Sequence, residues 1–127
     1  MTNVEAIVVA ALRAAGVCGG RVHVDMPANV VYPAGRVTRI GGGVSRPAHL
    51  DRALLQVEFW GAAGPSGTDD AFNAAAGAVV ALSALKGSVA GGVVVGVVIN
   101  SIGNVFDTTF SPARARRIIT VTVTTHP

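Results

Sequence analysis

The sequence is poor in charge, in aromatic residues and in cysteine. Charged residues make up 13% of its 127 residues, whereas soluble domains carry roughly 25%. The lone Cys18 excludes an internal disulfide framework and a cysteine-based metal cluster. The basic residues, nearly all Arg, form no dense run of the kind that a dedicated nucleic-acid binder carries. Since 50% of the residues are hydrophobic, we expect apolar surface that either the fold or neighbouring subunits must bury.

The motifs that usually carry catalysis are also missing. The sequence contains no Gly-x-Ser-x-Gly, no phosphate-binding Gly-x-x-x-x-Gly-Lys-Ser/Thr and no His-Glu-x-x-His. The histidines are scattered, and Asp69 and Asp70 suit the positive end of a helix without any substrate. Cys18 lies in a glycine-rich turn and is predicted to be a passive thiol. We therefore predict no enzyme, no catalytic residue, no cofactor and no metal site. The alternative is a small ligand-binding protein or enzyme with a pocket beside the segment 103–115.

The longest uncharged stretch, residues 88–106, could be taken for a transmembrane segment. Its glycines and asparagines, and the β-branched run 93–99 at its centre, favour a buried strand instead. We also expect no signal peptide, because Glu5 is acidic and Arg13 interrupts the first apolar run. No membrane association is predicted.

The centre of the chain reads as a strand followed by a long helix. Leu55, Val57 and Phe59 fall on one face of the strand, and Gln56, Glu58 and Trp60 fall on the other. Thr68 is the predicted N-cap of the helix, with the two aspartates in its first turn and Gly87 after its end. The residues predicted to form its buried face are Phe72, Ala75, Ala76, Val79 and Leu82.

The remaining elements follow from periodicity and from glycine and proline positions. A capping box at Thr2 and Glu5 predicts a first helix that ends at Gly16. The other predicted elements are a short strand at 21–25, a strand at 36–40 closed by a flexible turn at glycines 41–43, a loop at 44–52, a strand at 93–99 that can extend to Ile102, a polar connection at 103–115 and a last strand at 117–125.

This order, α-β-β-β-α-β-β, predicts a single α+β domain over residues 1–127. We expect a two-layer sandwich in which two helices pack on one face of a mainly antiparallel sheet. The segment 93–99 is apolar on both faces, and Leu54 and Trp60 lie opposite the row of Leu55. A copy of the same protein is the simplest cover for the second face.

The arginines are the one polar group that indicates a function. They are read either as solvated strand ends, as ion pairs between subunits, or as a basic surface that faces a partner or passing DNA. The interface candidates are Arg36, Arg39, Arg46, Arg52, Trp60, Arg114, Arg116 and Arg117.

The order and style of the chain resemble a known family. The resemblance lies in the capped N-terminal helix, the segment 24–27, the basic strand 36–42 closed by glycines, Pro47 and Asp51, the strand 55–61, the alanine-rich helix and the last strand ending at 121–123. In these features the chain resembles the tail terminator (tail completion or minor tail) proteins of long-tailed, actinobacterial bacteriophages. The connection 104–115 departs from the proline- and acid-rich pattern of such proteins.

The resemblance implies a structural virion protein without catalytic activity. Such proteins form a homo-oligomeric ring, commonly a hexamer, at the head-proximal end of the tail. The ring caps the tail tube, stops its polymerisation and joins it to the head-tail connector (head-closure) protein. The implied partners are therefore further copies of the chain, the tail tube protein, the connector and DNA passing through the lumen, and the protein would be made in the cytoplasm of the host bacterium. The alternatives are a head-closure or adaptor protein of the neck and a tail tube subunit.

Overall fold

The computed structural model of the chain describes residues 3–45, 50–64, 66–87, 92–109 and 114–126. In chain order the elements are α1 (Val4–Ala14), a short 3₁₀ turn (Val17–Gly20), β1 (Val22–His23), β2 (Ala34–Ser45), β3 (Leu50–Trp60), α2 (Gly67–Ser83), β4 (Val93–Asp107) and β5 (Arg114–His126). The strands form one sheet in the order β1-β2-β3-β5-β4. Among the described strands, only β1 and β2 pair in parallel. The predicted element order and the two-layer α+β class are confirmed.

The strand β3 lies at the centre of the sheet and alternates as predicted. Leu55, Val57 and Phe59 are each 0% exposed and join the core that both helices cover. On the opposite face Gln56, Glu58 and Trp60 point away from the helices, as their positions in an extended strand require. Pairing with β2 on one side and β5 on the other makes β3 the element around which the sheet is built.

The N-cap of the first helix is Asn3, one residue later than the predicted cap Thr2. The side chain of Asn3 accepts a hydrogen bond from the backbone N–H of Ala6 at 3.1 Å and so caps α1. Thr2, the predicted cap, lies outside the described residues. The carboxylate of Glu5, the other residue of the predicted capping box, accepts a hydrogen bond from the backbone N–H of Arg39 in β2. The helix therefore uses Glu5 for a tertiary contact.

The second helix differs from the prediction at both ends and in its buried face. Its N-cap residue is Ser66, not Thr68, and it ends at Ser83, before Gly87. The residues that it buries are Ala71, Ala74, Ala75, Ala78 and Leu82. Phe72 is 55% exposed, because alanine side chains allow the helix to lie close to the sheet and leave the large ring outside the contact. The aspartates in the first turn are confirmed.

The predicted turn at glycines 41–43 is wrong, because β2 continues through these residues to Ser45. A bulge between Arg39 and Gly41 shifts the register, and the strand then pairs with the first half of β3. Gly42 has a φ of +93°, and a Cβ there would lie 1.8 Å from the carbonyl oxygen of Arg52. Only glycine fits that position. The predicted loop 44–52 is correspondingly shorter, since β3 begins at Leu50, and residues 46–49 lie outside the described part.

The strand β4 is longer than predicted. Residues 103–107, expected to begin a polar connection, pair with residues 114–118 at the start of β5. This partner strand supplies the hydrogen bonds, so the glycine and asparagine in the segment do not end β4. Bulges interrupt β4 between Val94 and Gly96 and again between Ile99 and Ser101.

The face opposite the helices is more polar than we expected. It carries threonines 38, 120, 122 and 124 along β2 and β5, and Trp60 on this face is only 6% exposed within the single chain. The exposed apolar side chains lie mainly at the two sides of the sheet. Ile40 and Val44 are on β2, Val24 and Val31 are in the segment between β1 and β2, and Val93, Val95, Val98, Ile102 and Val105 are on β4. The uncovered apolar surface thus lies mainly on the outer strands of the sheet, where Val98 and Val105 of β4 face the open side.

None of the described helices is long and apolar enough to cross a membrane.

Candidate functional site

A buried carboxylate on the open face of the sheet holds two of the candidate arginines. Arg36 in β2 lies directly opposite Glu58 in β3, and its Nη2 donates to Glu58 Oε1 at 2.9 Å. Arg116, in the neighbouring strand β5, donates to the other carboxylate oxygen. The Glu58 side chain is 1% exposed, so both of its oxygens are satisfied inside the fold. One carboxylate therefore links three adjacent strands.

Trp60 extends this cluster to the end of β4. The guanidinium carbons of Arg36 and Arg116 lie 5.4 Å and 5.3 Å from the centroid of the indole ring, within cation–π distance. The indole Nε1 donates to Asp107 Oδ2 at 2.8 Å. We call Arg36, Glu58, Trp60, Asp107 and Arg116 the open-face cluster. It joins the four long strands of the sheet at one end.

The carboxylates of the open-face cluster are stabilised in their charged form. Burial raises the pKa of Glu58, but hydrogen bonds from Arg36, Arg116 and Gln56 outweigh it, so that the pKa lies below its ordinary value. Hydrogen bonds from Thr109, and then from Trp60, lower the pKa of Asp107. Both groups are therefore ionised at neutral pH, and the cluster is a set of fixed ion pairs.

A cavity of about 320 Å³ adjoins the cluster. Its lining residues are Met26, Val30, Tyr32, Arg36, Trp60, Asp107, Thr109 and Arg116. The Asp107 carboxylate beside the cavity already accepts hydrogen bonds from Trp60 and Thr109. Arg36 and Arg116 both form ion pairs with Glu58. In the described part of the chain, no three metal-ligating side chains come together. The arrangement thus stabilises a surface and presents no nucleophile–base pair.

A second ion pair lies on the helix side of the sheet. Arg39 donates to both oxygens of Asp51, at 2.8 Å and 2.7 Å, in the bidentate geometry that favours arginine. The hydrogen bond from Arg39 lowers the pKa of Asp51, which is 4% exposed. The backbone N–H of Arg39 also donates to Glu5 of α1. Arg36 and Arg39 lie on opposite faces of β2, as predicted, and each pairs within the chain.

The other interface candidates are spread over the molecule. Arg114 donates to the carbonyl oxygen of Gly61 at 3.2 Å, and its guanidinium lies 4.1 Å from the ring of Tyr32. Arg117 lies on the helix side, 5.4 Å from the ring of Phe72. Arg52 is exposed on β3, and Arg46 lies outside the described residues. The structure therefore gathers only Arg36, Arg116 and Trp60 into one cluster.

Sequence reasoning missed the carboxylates that organise these arginines. Glu58 is the acidic residue on the open face of the predicted strand, and that isolated position is the signal that could have identified it. Its partners could not be identified from spacing, because Arg36 and Arg116 are far apart in the chain and meet only through the order β2-β3-β5.

Cys18 takes no part in the open-face cluster. It lies in the 3₁₀ turn and is 7% exposed. Burial raises the pKa of its thiol to about 11, so the thiol is protonated at neutral pH. This agrees with the prediction of a passive thiol.

The two long edges of the sheet differ in how well they are covered. On the β2 edge, β1 pairs with residues 35–36 and Glu5 accepts from the N–H of Arg39. On the other edge, the described part of β4 pairs with β5 alone, and residues 93–106 carry no charge. Natural sheets usually protect such an edge with lysine, proline or a covering segment. The β4 edge is therefore a candidate interface.

No protein-family model matches this sequence, and no curated protein matches it significantly. The functional argument accordingly depends on the residues and the geometry described above.

Proposed function

We propose that the chain is a structural virion protein, the tail terminator of a long-tailed bacteriophage. In this proposal, copies of the chain form a closed ring, commonly a hexamer, at the head-proximal end of the tail. The ring caps the tail tube, stops its polymerisation and joins it to the head-tail connector. The observation that supports it best is that, among the described residues, most of the exposed large apolar side chains lie on the two outer long strands, Ile40 and Val44 on β2 and Val93, Val95, Val98, Ile102 and Val105 on β4.

The two apolar edges favour a ring for a geometric reason. They lie on opposite sides of one sheet, so a contact between them joins unlike surfaces of successive copies. Such a heterologous contact closes into a ring when the rotation between copies permits it, and it gives an open filament when it does not. A monomer would keep both apolar edges in water, where they risk uncontrolled strand pairing.

The open-face cluster is consistent with a structural role. Glu58 accepts hydrogen bonds from two arginines, and Asp107 accepts one from Trp60, so hydrogen bonds link these side chains at one end of the sheet. Side chains held in this way offer a rigid surface to the tail tube protein or to the connector. Arginine and tryptophan are also the residues that most often dominate protein interfaces.

Electron microscopy of the purified chain tests the ring. We expect closed rings that remain one layer thick. Long stacks of rings would indicate the alternative, a tail tube subunit, and a field without rings would contradict both assignments.

A second measurement tests the terminator role itself, because rings occur in many protein classes. The tail tube protein encoded by the same genome is allowed to polymerise with and without this chain. The proposal predicts shorter tubes with the chain bound at one end. Tube lengths that do not change on its addition would contradict the role as a terminator, and binding to the connector alone would favour a neck adaptor.

A further inference from the structure

The unpaired parts of the two edge strands, β2 and β4, lie at the same level along the strand direction, as the register of the sheet shows. Through the ladder, Gly41 of β2 lies level with Leu54, then Thr122, and finally Val98 of β4. In the same way Gly43 lies level with Gly96. The part of β2 beyond the Arg39–Glu5 hydrogen bond is therefore level with the first half of β4.

The directions of the two edge strands also suit each other. Each neighbouring pair from β2 to β4 is antiparallel, so β2 and β4 run in opposite directions. If a second copy is placed beside β4 in the same orientation, its β2 runs antiparallel to that β4. The helices of both copies then remain on the same side of a continuous sheet. An antiparallel pairing of this kind satisfies the edge N–H and C=O groups of both strands.

The second bulge of β4, between Ile99 and Ser101, lies where a strand that pairs with β2 must bend to pass β1. β1 lies outside β2 at residues 35–36 and blocks that part of the edge. The bulge between Ile99 and Ser101 falls just before the level of this obstacle, since Ser101 is level with Thr38. A bulge bends the strand that contains it, so β4 can pair with the open part of β2 and then pass outside β1.

The side chains on the two edges match in chemistry. Both edges expose β-branched side chains: Val98, on the open face of β4, is 60% exposed, and Val44, on the helix side of β2, is 54% exposed. Ile102, 52% exposed, is level with Val37 and hence with Val24, the exposed residue that follows β1. The glycines at 41–43 have no side chain to keep a neighbouring backbone at a distance. Both segments are free of charge, so no like charges oppose each other.

We propose that neighbouring copies of this chain join by strand pairing, with residues 94–99 of β4 in one copy antiparallel to residues 41–44 of β2 in the next. Ile102 packs on Val24 of the neighbour at the end of this contact. The occupant of the β4 edge is thus a second copy in a head-to-tail arrangement. A two-fold contact between two β4 strands would leave Ile40 and Val44 exposed, which disfavours it. The inference rests on the proposed ring and specifies how the ring closes.

Cysteine cross-linking tests the pairing. The background is Cys18→Ala, which removes the native thiol. Val98→Cys is combined with Gly41→Cys or with Gly43→Cys, which differ in register by two residues. Both glycines accept a side chain, because a Cβ at Gly43 meets nothing within 4 Å and one at Gly41 meets only the Leu54 side chain at 3.7 Å. Residues opposite each other in an antiparallel pair have Cα atoms about 4.5–5.5 Å apart, a distance suited to a disulfide.

The expected result is a ladder of covalent oligomers on a non-reducing gel for at least one double variant and for no single variant. Disulfide dimers of Val98→Cys alone would show a two-fold β4 contact and overturn the proposal. Rings that persist in microscopy while neither double variant cross-links would overturn the strand pairing but leave the proposed ring intact. A folded wild-type monomer would overturn both.

A pair of lysine variants provides a second test. Val98→Lys places a charge on the β4 edge, whereas Val80→Lys places one on α2, outside the sheet, at a residue that is 71% exposed. Both residues are exposed, so both variants should retain the wild-type circular dichroism spectrum. We expect Val98→Lys to raise the concentration at which the assembly dissociates by at least about tenfold, and Val80→Lys to leave it unchanged. Equal dissociation of the two variants would contradict the assignment of the β4 edge.

Discussion

The two faces of the central strand β3 are buried by different interactions, hydrophobic packing on one face and ion pairing on the other. On the helix side, Leu55, Val57 and Phe59 are fully buried by hydrophobic packing against α1 and α2. On the open side, the buried residues are Trp60 and the charged Glu58, and two arginines compensate the charge of Glu58. The chain therefore closes its own core completely and also closes the centre of its open face. Among the described residues, one copy leaves apolar side chains uncovered mainly on the outer strands β2 and β4, so association is expected along these edges.

The largest expected effect comes from a substitution in the row of β3 that is buried against the helices. Leu55→Ala leaves a cavity in a packed core and should lower the free energy of unfolding by about 2–5 kcal/mol. Leu54→Ala, one residue away on the open face where Leu54 is only half-buried, should cost about 1 kcal/mol. Urea denaturation of the two variants measures the difference. Equal losses would contradict the assignment of the two faces.

Removing the charge of Glu58 tests the open side. Glu58→Gln leaves two guanidinium groups without their carboxylate and should destabilise the fold by about 1–3 kcal/mol, because each arginine keeps part of its contact with water. Asp69→Asn is the matched control, since Asp69 is an exposed acid in the first turn of α2 and should cost at most about 1 kcal/mol. Denaturant midpoints compare the two, and a Glu58→Gln variant as stable as the control would argue against a structural role of the cluster.

The same cluster predicts a loss of stability in acid. The folded-state pKa of Glu58 is lowered, so its stabilisation is complete above about pH 4.3, the pKa of an unfolded glutamate, and disappears as the pH falls through the folded value. Asp51 and Asp107, whose pKa values are also lowered, act in the same direction below about pH 3.9. The unfolding free energy of the wild type should therefore fall between about pH 5 and about pH 3. Glu58→Gln should show a shallower decline, and parallel profiles would refute this contribution.

An effect on the backbone is expected where the β2 edge passes through its glycines. Gly42→Ala forces a side chain into a left-handed backbone conformation, at a cost of about 1–2 kcal/mol before any clash with the Arg52 carbonyl is counted. Gly43→Ala places its methyl group in open space and should change stability by less than about 0.5 kcal/mol. Thermal unfolding of both variants provides the measurement. If the two behave alike, β2 does not continue through residues 41–43 as described.

The sequence predicted those parts of the fold in which local pattern and tertiary packing agree. The alternation in β3 and in the last strand identified the core rows correctly, because both strands are buried on one face. It failed at glycines 41–43 and at residues 103–107, where the hydrogen bonds of a neighbouring strand override weak local preference. It also assigned Phe72 to the core, because periodicity indicates a stripe on a helix but not which stripe faces the sheet when alanines can pack closely.

The candidate site was predictable only in its individual residues. Arg36, Arg116 and Trp60 were selected from the sequence as interface candidates, yet the ion pairs with Glu58 depend on strand order, which spacing does not encode. Arg39 pairs with Asp51 for a similar reason, since the two meet across a hairpin that the predicted turn at residues 41–43 did not allow. The exposed apolar edges could be recognised only once the open ends of the sheet were located.

Analytical ultracentrifugation of the wild-type chain over a range of micromolar concentrations tests the central claim most directly, because the proposed pairing of the two apolar edges requires more than one copy of the chain. The account predicts one discrete species of several copies, six in the proposed ring, with a mass that is a whole multiple of 12.8 kDa and does not change on dilution within this range. A single folded species of 12.8 kDa at every concentration would contradict it.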